Sequence, residues 1–442
     1  MCGIYAIYSK NVNNNNIIEL KDGMKKLQHR GKDSYGISMQ IENNISSIKR
    51  KGEIKNSTSD SLKGIKCSSC LGHLRYSTSG YSSNLGKLIQ NEIQPLRGCI
   101  NNIHYALTHN GNIPNVKGHD TTYINNKLMN NSSSIESNLI DIMNEIPAAY
   151  SIVILINNDL YVMRDRYGIR PLCIGQKDNN FHISSESVAF SNEINYIRDV
   201  KPGEILKINE NGIQIIYNHP QSTTGLCLFE ILYFLNENSF TDGMYIKNLR
   251  KQFGKTIALE DKQENFDETY TVVGIPLTGI CLGKSYAKEL NLKYSQLITK
   301  NKKVSRSFIA INNEERKKIC DIKFIYNITE IKGKKLIIVD DTIVRGNVIK
   351  SIINKLYNYG AEEIHVRIPA PPVIDICELG ISIQSKKELI MYNRTINDVC
   401  KEIKATSLKY LSIDKLKNIP KESYDQCFSG FISKDLKIFK ET

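Results

Sequence analysis

A cysteine in second position is the first residue of this sequence that could do chemistry. If Met1 is removed, Cys2 carries both a thiol and a free α-amine. An α-amine has a pKa of about 7.7 to 8.0 and a thiol one of about 8.5, so the amine is suited to act as general base for its own side chain. The alternative is that Cys2 is a small apolar residue at the start of the first strand.

Two adjacent acids in the second half are the next candidates. Asp340 and Asp341 follow the apolar residues 337–339, and a loop with Gly346 leads from them into a predicted helix. The amides at a helix N-terminus can hold a phosphate, and two carboxylates in a turn can face a ribose diol or Mg²⁺. The alternative is that the acids only cap the helix. We favour the ligand interpretation because a buried strand that ends in two carboxylates needs something to offset their repulsion.

The 11 cysteines need separate explanations. No basic region precedes the apolar residues near the N-terminus, so the sequence predicts neither a secretory signal nor a disulfide framework. Cys67 and Cys70 have the spacing of zinc ligands, but no second pair and no histidine partner lies nearby. We interpret this pair as structural.

Length and composition indicate a globular protein of two or three domains, since 442 residues are shared among domains of about 100 to 200 residues each. A hydrophobic fraction of 40% and a charged fraction of 24% exclude wholesale disorder. The net charge of +13 carries little weight, because Asn, Ile and Lys are used heavily throughout. The apolar runs are far shorter than the ~20 residues of a membrane span, so we expect a soluble, cytoplasmic protein without membrane or nucleic-acid partners.

Short β-type runs dominate the first half and would position Cys2 within sheets. The predicted strands are residues 4–8, 103–108, 151–156, 161–164, 181–184 and 213–217. Two predicted helices, near residues 17–28 and 136–144, interrupt them. The segment 217–225, with its Pro, Ser, Thr and Gly, is the predicted linker.

The second half alternates between helix and strand. The predicted strands are residues 270–275, 335–339 and 364–368, and the predicted helices are residues 246–257, 284–290 and 348–359. This order is typical of a parallel doubly wound sheet, whose ligands bind at the carboxyl ends of the strands.

Four motifs in the first half accompany Cys2: residues 27–36, 72–78, 108–112 and 164–172. Together they resemble the glutamine amidotransferase domain of the N-terminal-nucleophile hydrolases. The resemblance implies that Cys2 is the nucleophile, that Arg75 clamps the glutamine α-carboxylate, and that Asn110 with Gly111 forms the oxyanion hole. A guanidinium fork and amide donors suit these roles. His73 and His109 are interpreted as structural.

The α-amine of glutamine needs a further partner. In the resembled family an acid that precedes Ser and Glu binds this amine, and Glu136-Ser137-Asn138 occupies the place in this sequence. Glu136 is therefore the expected ligand of the α-amine.

The segment around Asp340 resembles the phosphoribosyl pyrophosphate site of type I phosphoribosyltransferases. It is not a nucleoside-triphosphate P-loop, because Gly-Lys-Ser/Thr is absent after the strand. The resemblance implies that the two acids hold the ribose hydroxyls and take part in Mg²⁺ binding. The residues implied to bind phosphoribosyl pyrophosphate are Asp340, Asp341, Arg345, Gly346, Lys300 and Arg306, and the implied Mg²⁺ ligands are Thr278, Asp340 and Asp341.

Nearly the whole chain resembles the amidophosphoribosyltransferase family, including residues 198–204 and 227–234. The implied fold is an N-terminal-nucleophile αββα sandwich over residues 2–222, followed over residues 223–442 by a phosphoribosyltransferase parallel-sheet domain with a C-terminal extension. The implied activity is the synthesis of 5-phosphoribosylamine from phosphoribosyl pyrophosphate and glutamine-derived ammonia, the first committed step of de novo purine synthesis. Purine nucleotides as inhibitors and a homo-oligomer are also implied.

Departures from the family pattern concentrate in the second half. Residues 235–239 lack an arginine, residues 276–278 lack an acid, residues 300–306 lack an aromatic residue, and Asn347-Val348 offers no hydroxyl to a 5′-phosphate. Two alternatives therefore stay open. One is a degenerate paralogue that binds phosphoribosyl or nucleotide ligands as a regulator. The other is a glutaminase with another sugar-phosphate acceptor.

Three cysteines fall where some members of the family carry iron–sulfur ligands. These residues are Cys227, Cys377 and Cys427, and the sequence shows no fourth. Ligation by four thiolates is the usual requirement. The two interpretations are an incomplete cluster site and three buried thiols that hold no metal.

Overall fold

This computed structural model describes residues 1–55, 62, 64–76, 90–130, 134–222, 225–301, 322–381, 383, 385–417 and 423–431. The expectation for Arg306, and that for most of the 300–306 segment, lies outside the described residues.

The first half is built mainly from strands that are joined by tight turns. Its elements are β1 (Gly3–Tyr8), α1 (Asn15–Lys26), β2 (Ser34–Ile41), β3 (Asn44–Lys51), β4 (Cys70–Arg75), β5 (Leu96–Ile100), β6 (Ile103–Asn112), α2 (Asp120–Asn130), α3 (Ile135–Glu145), β7 (Ala149–Ile156), β8 (Asp159–Arg164), β9 (Cys173–Lys177), β10 (Asn180–Ser184), β11 (Asn195–Asp199), β12 (Glu204–Asn209) and β13 (Gly212–Asn218). The β7–β8 turn uses Asn157 and Asn158, both at positive φ, because asparagine tolerates the left-handed conformation that two-residue hairpins require.

These strands form two antiparallel sheets, in the orders β11-β9-β10-β1-β4-β2-β3 and β13-β12-β8-β7-β6-β5. Apolar residues such as Ala6 and Val153 fill the space between the sheets. Helix α1 packs its buried side, which includes Leu20 and Met24, on the outer face of the first sheet, while α2 and α3 cover the outer face of the second. The four layers confirm the predicted αββα sandwich.

The second half surrounds a parallel sheet. Its elements are β14 (Leu226–Cys227), a π-helix (Glu230–Phe234), β15 (Phe240–Thr241), β16 (Met244–Tyr245), α4 (Ile246–Glu260), β17 (Tyr270–Gly274), α5 (Gly279–Leu290), β18 (Lys293–Tyr294), β19 (Ile298–Lys300), β20 (Phe324–Tyr326), α6 (Ile328–Ile331), β21 (Lys335–Val339), α7 (Asn347–Asn358), β22 (Glu363–Ile368), α8 (Ile396–Ile403), β23 (Ser407–Tyr410), α9 (Ile413–Lys417), β24 (Ser423–Tyr424) and α10 (Gln426–Ser429). The sheet order is β18-β17-β21-β22-β23, with all neighbours parallel, as predicted.

The two halves pack closely against each other. Met1, Ala149 and Ile169 of the first half belong to the same buried apolar cluster as Leu226 and Leu228 of the second. Strand β13 ends the sandwich and β14 begins the second half, so the connection coincides with most of the predicted linker. Within the described part of the chain, every helix is too short or too polar to cross a membrane.

Candidate functional site

Cys2 lies immediately before β1, a central strand of the first sheet, and is half-buried. Its backbone N–H donates to Asn110 Oδ1 at 3.0 Å, and its Sγ lies 3.7 Å from the carbonyl oxygen of Tyr76. Met1 precedes it and is itself buried, and this burial lowers the pKa of the terminal amine to about 5. The contact with Asn110 joins residues that are 108 positions apart in the chain.

Only the oxygen of the Asn110 side-chain amide takes part in the hydrogen bond to Cys2. Its Nδ2 is buried and has no hydrogen-bond partner among the described residues. The neighbouring Gly111 lies in β6 against β7, where a Cβ would collide with the carbonyl oxygen of Ala149. Any larger residue would push the two strands apart. A buried amide N–H beside a thiol can stabilise an oxyanion that forms there.

Arg75 ends β4 and is buried. Its Nη2 lies 2.7 Å from Glu92 Oε2, and its Nη1 lies 2.9 Å from His119 Nε2 and also donates to the Glu92 carbonyl. Burial lowers the pKa of His119 to about 4, so the imidazole is neutral and can accept from the guanidinium. The Arg75 guanidinium is therefore paired with a carboxylate of the same chain, that of Glu92. Glu92 and His119 were missed because no motif marks either of them.

The structure does not bring Glu136 to Cys2, which corrects the expectation for the glutamine α-amine. Glu136 Oε1 accepts a hydrogen bond from Tyr161 at 2.9 Å and lies 3.7 Å from Lys207 Nζ. Tyr161 belongs to the core between the second sheet and its covering helices, whereas Asn110 contacts Cys2 on the inner face of the same sheet. The physical reason is that α3 lies on the outer face of the second sheet.

His73 and His109 are both buried, and burial lowers the pKa of each imidazole. The His73 ring lies 3.2 Å from the His109 carbonyl oxygen, and the His109 ring lies 3.2 Å from Thr121 Oγ1. Both imidazoles are therefore neutral and buried, which agrees with a structural role.

A cavity of about 180 Å³ opens at the carboxyl ends of β17 and β21. It brings together every described residue that was predicted to bind phosphoribosyl pyrophosphate or Mg²⁺. These residues are Thr278, Lys300, Asp340, Asp341, Arg345 and Gly346. Lys323, Phe229 and Tyr233 also line the cavity and were not predicted, because nothing in the local pattern distinguishes them.

Asp340 and Asp341 are joined by a hydrogen bond, and the charge of Asp341 acts on Asp340. The backbone N–H of Asp341 donates to Asp340 Oδ1 at 3.0 Å, and the Asp341 carboxylate accepts from the hydroxyls of Thr342, at 2.8 Å, and Thr278. Burial raises the pKa of both carboxyls, and the charge of Asp341 raises that of Asp340 further. Two carboxylates and a hydroxyl are the oxygen donors that Mg²⁺ prefers, and a cation would relieve their repulsion. The residues present therefore fit this ion.

The start of α7 forms another wall of the cavity. Gly346 precedes the helix at φ 76°, where a Cβ would also collide with the Ile390 side chain. Arg345 turns its guanidinium to Glu388, with Nε 2.7 Å from Oε2. Val348 lines the cavity with an apolar side chain, which agrees with the predicted loss of a hydroxyl.

Cys227, Cys377 and Cys427 lie close enough that the charge on one thiol would raise the pKa of another. Burial is the main cause, and it raises the pKa of Cys227 to about 12. Across the described ranges, no three Cys, His, Asp or Glu side chains are grouped so that they could hold a metal ion. Cys67 and Cys70 are both buried, and Cys70 Sγ lies 3.7 Å from the carbonyl oxygen of Asn16.

Comparison with known proteins agrees with this geometry. The family models for the glutamine amidotransferase domain and the phosphoribosyl transferase domain match residues 83–192 and 247–370. The amidophosphoribosyltransferase of Methanothermobacter thermautotrophicus is 32% identical over 435 residues, which cover 94% of this chain and 90% of that protein.

Two solved structures match nearly the whole chain. Glutamine phosphoribosylpyrophosphate amidotransferase from Bacillus subtilis, complexed with ADP and GMP, has a TM-score of 0.82 at 27% identity and covers 100% of both chains. A structure described as the allosteric regulatory enzyme of purine biosynthesis has a TM-score of 0.85 at 27% identity, with 100% of this chain and 98% of that chain covered. With these likenesses over its whole length, the protein belongs to the amidophosphoribosyltransferase family.

Proposed function

We propose that this enzyme makes 5-phosphoribosylamine from phosphoribosyl pyrophosphate and ammonia that it releases from glutamine. The observation that carries the proposal is the cavity at the ends of β17 and β21, where six residues predicted to bind phosphoribosyl pyrophosphate or Mg²⁺ converge. The same chain places Asn110 in hydrogen-bond contact with the Cys2 backbone, which supports the proposed glutamine site. No observation favours a regulator without catalysis or another acceptor.

In the first half-reaction Cys2 is the nucleophile, once Met1 has been removed. The α-amine takes the thiol proton, Sγ attacks the amide carbon of glutamine, and the proton passes to the departing ammonia. Water then hydrolyses the thioester to glutamate. Asn110 Nδ2 and the Gly111 amide donate to the oxyanion. Arg75 binds the α-carboxylate, which replaces Glu92 as a partner of the guanidinium.

In the second half-reaction ammonia passes inside the protein to C1 of phosphoribosyl pyrophosphate, forms the C–N bond with inversion, and displaces pyrophosphate. Asp340 and Asp341 hold the ribose hydroxyls and stabilise the positive charge that develops on the sugar. The amides at the start of α7 receive the 5′-phosphate. Thr278 and the two acids would hold Mg²⁺, which would neutralise charge on the pyrophosphate when bound.

The finer properties are proposed on the same basis. We place the domain boundary at residues 222 and 223, and the enzyme in the cytoplasm as a homo-oligomer. The Bacillus subtilis relative was solved with ADP and GMP. Purine nucleotides are therefore the proposed inhibitors here.

The test is to incubate the purified protein with glutamine, Mg²⁺ and phosphoribosyl pyrophosphate and to measure glutamate and pyrophosphate together. We expect both products in equal amounts. Glutamate without pyrophosphate would contradict the proposed acceptor, and pyrophosphate from ammonia but not from glutamine would contradict the proposed first site.

A further inference from the structure

The glutamine site needs a partner for the α-ammonium group of glutamine. Arg75 is proposed to bind the α-carboxylate, whereas Glu136 lies against Tyr161 on the outer face of the second sheet. An ammonium group carries three donors, and these need acceptors when the group is buried. The acceptors must lie close to Arg75, because the ammonium and the carboxylate are attached to the same carbon atom.

Arg75 and the nucleophile border the same site. Gly3 pairs with Leu74 in the ladder between β1 and β4, so Cys2 and Arg75 lie at the same end of two neighbouring strands. Cys2 Sγ lies 3.7 Å from the carbonyl oxygen of Tyr76, the residue that follows Arg75. A group that binds the α-ammonium beside Arg75 therefore helps to orient the substrate toward the thiol.

Three acceptors surround the Arg75 guanidinium. Nη2 lies 2.7 Å from Glu92 Oε2, and Nη1 donates to the Glu92 carbonyl oxygen and lies 2.9 Å from His119 Nε2. Glu92 is 4% exposed and His119 is 8% exposed. Burial lowers the pKa of His119 to about 4, so the ring is neutral and Nε2 accepts from the guanidinium. The three acceptors equal the donors of one ammonium group in number.

Glu92 is anchored to the strand that carries the predicted oxyanion donors. It is the last residue of a short 3-10 turn (Gln90–Glu92). Two residues later, Gln94 Oε1 accepts from the backbone N–H of His109 in β6 at 2.6 Å, and Gln94 Nε2 donates to Thr121 Oγ1 at 2.9 Å. These bonds fix the main chain next to Glu92, so its carboxylate is presented to the site by a well-held segment.

The balance of charge around Arg75 favours a zwitterion over a simple anion. Arg75 and Glu92 form a buried ion pair that is neutral as a whole. A carboxylate that joined this pair alone would leave one negative charge without a partner, and burying an unpaired charge is strongly unfavourable. A zwitterion brings its own cation. Arg75 can then pair with the α-carboxylate while Glu92 pairs with the α-ammonium.

Asp120 supplies another buried carboxylate in this region. Its charge raises the pKa of His119, so the two groups lie within electrostatic range of each other. Asp120 Oδ1 accepts from the backbone N–H of Thr121 at 2.8 Å, at the start of α2, and lies 3.8 Å from His109 Nδ1. Asp120 thus stabilises the first turn of a helix, whereas Glu92 pairs directly with Arg75.

We propose that Glu92 binds the α-ammonium of glutamine and is a specificity-determining residue of the glutamine site. The substrate exchanges the Arg75–Glu92 pair for two pairs, one at each of its charged groups. The Glu92 carbonyl oxygen and His119 Nε2 accept the remaining donors of the ammonium. The site thereby selects free glutamine over compounds whose α-amine is missing or acylated. This inference rests on the proposed function, because it assigns a residue to the first half-reaction.

The test compares glutamine with glutaramate, which is glutamine without its α-amine, as substrates of the full chain. Ammonia release gives kcat and KM for each compound in the wild type, in Glu92→Gln and in Glu92→Asp. The readout is the preference, the kcat/KM for glutamine divided by that for glutaramate. A merely structural role would lower both values together and leave the preference unchanged.

Glu204→Gln is the matched control. Arg198 Nη1 lies 2.7 Å from Glu204 Oε2, and Glu204 is buried, so the same substitution removes a charge from a comparable pair. Asp120→Asn and Glu136→Gln test the other carboxylates that could bind the ammonium. Thermal unfolding verifies that each variant is folded, and Glu92→Asp carries the test if Glu92→Gln does not fold.

We expect the wild type to prefer glutamine by about 100-fold or more, because a site built to bind a polar group rejects an analogue that lacks it. In Glu92→Gln the preference should fall by about tenfold or more, the effect of losing a hydrogen bond to a charged group. The KM for glutamine should rise, and that for glutaramate should fall, because Arg75 then lacks its resident carboxylate. Glu92→Asp should be intermediate, and the other three variants should keep the wild-type preference.

A wild-type preference near 1, or an unchanged preference in Glu92→Gln, would overturn the assignment. A loss of preference in Asp120→Asn or Glu136→Gln but not in Glu92→Gln would overturn it in favour of that other carboxylate. A wild type that released no ammonia from glutamine would instead contradict the proposed function, so the two failures can be told apart.

Discussion

The side chain of Asn110 shows how one residue can serve both the ground state and the reaction. Its Oδ1 holds the Cys2 nitrogen, while its Nδ2 is buried without a partner among the described residues. A buried donor without a partner costs about 1 to 3 kcal/mol, a cost that a substrate oxyanion at this position would remove. An oxyanion that forms at the glutamine amide would accept this bond.

Replacing Asn110→Ala tests this role. We expect kcat for glutamine hydrolysis to fall by about 100- to 1,000-fold with little change in KM, because the oxyanion forms only in the transition state. Steady-state kinetics measures both constants. Asn125→Ala is the control, since Asn125 bonds to Tyr105 in the outer layer of the same half. A kcat near that of the wild type would remove Asn110 from the oxyanion hole.

Glu136→Gln tests the corrected position of that carboxylate. We expect the glutamine KM to stay unchanged, because Glu136 lies against Tyr161 on the outer face of the second sheet. Arg75→Lys should instead raise KM by about tenfold or more, since an ammonium cannot reproduce the paired bonds of a guanidinium to a carboxylate. If Glu136→Gln raised KM as much as Arg75→Lys, a rearrangement of α3 on binding would be required.

At the scale of elements, the two carboxylates that follow β21 repel each other, and a bound cation would reduce this repulsion. Both carboxyls that follow the strand have a raised pKa because of burial. A carboxyl with a raised pKa contributes stability that is present below its unfolded pKa, about 3.9, and that is lost as the pH rises through its folded pKa. The ligand-free protein is therefore destabilised at neutral pH by the same pair of acids that is proposed to bind substrate.

Asp340→Asn should consequently raise the unfolding free energy of the ligand-free protein at pH 7, by about 1.4 kcal/mol for each unit by which the pKa is raised. The gain should shrink as the pH approaches 4, because the wild-type carboxyl is then protonated. Denaturant unfolding at several pH values without Mg²⁺ measures this, and calorimetry should show weakened binding of phosphoribosyl pyrophosphate. A variant less stable than the wild type at pH 7 would contradict the repulsion.

A substitution at the start of α7 is expected to strengthen the binding of phosphoribosyl pyrophosphate. Val348 lines the cavity beside the helix N-terminus, and Val348→Thr replaces a methyl group by a hydroxyl. We expect phosphoribosyl pyrophosphate to bind more tightly by about 1 kcal/mol, the contribution of one neutral hydrogen bond. Calorimetric titration measures this, with Val348→Ala as the control that shortens the side chain without adding a donor. Equal affinity of the threonine and alanine variants would move the 5′-phosphate elsewhere.

At the scale of the whole molecule, two sites with separate chemistry share one chain. The sandwich fills its interior with its own apolar cluster, and the parallel sheet belongs to another. The cluster around the parallel sheet extends to Met1 and Ala149, so the halves are packed together. Because the sandwich nevertheless has an apolar cluster of its own, loss of chemistry at one site should leave the other folded.

Cys2→Ala is the test of this independence. We expect glutamine use to disappear, while pyrophosphate release driven by added ammonia survives at close to the wild-type rate, because the thiol serves only the first site. Glutamate and pyrophosphate assays measure the two activities separately. Glutaminase activity in Cys2→Ala would refute the N-terminal nucleophile, and loss of the ammonia-driven reaction would refute the independence of the sites.

The sequence by itself determined what depends on neighbouring residues. Apolar periodicity located strands and helices to within a few residues, as for α3 (Ile135–Glu145), predicted at 136–144. It missed α2 (Asp120–Asn130), whose polar residues give little periodicity, and it left seven of the thirteen strands described in the first half unpredicted. The acids at Asp340 and Asp341 could be assigned because a strand, a turn and a helix that follow one another build that site locally.

Only the tertiary structure decided which distant side chains meet. It placed Glu136 on the outer face of the second sheet and paired Glu92 with Arg75. It also paired Arg30 with Glu230, which lies 200 residues away in the chain. Such pairings depend on how layers stack and which face of a strand or helix is covered, and no local pattern specifies this. Packing over long sequence separations thus decided the surroundings of the residues that the motifs had already marked.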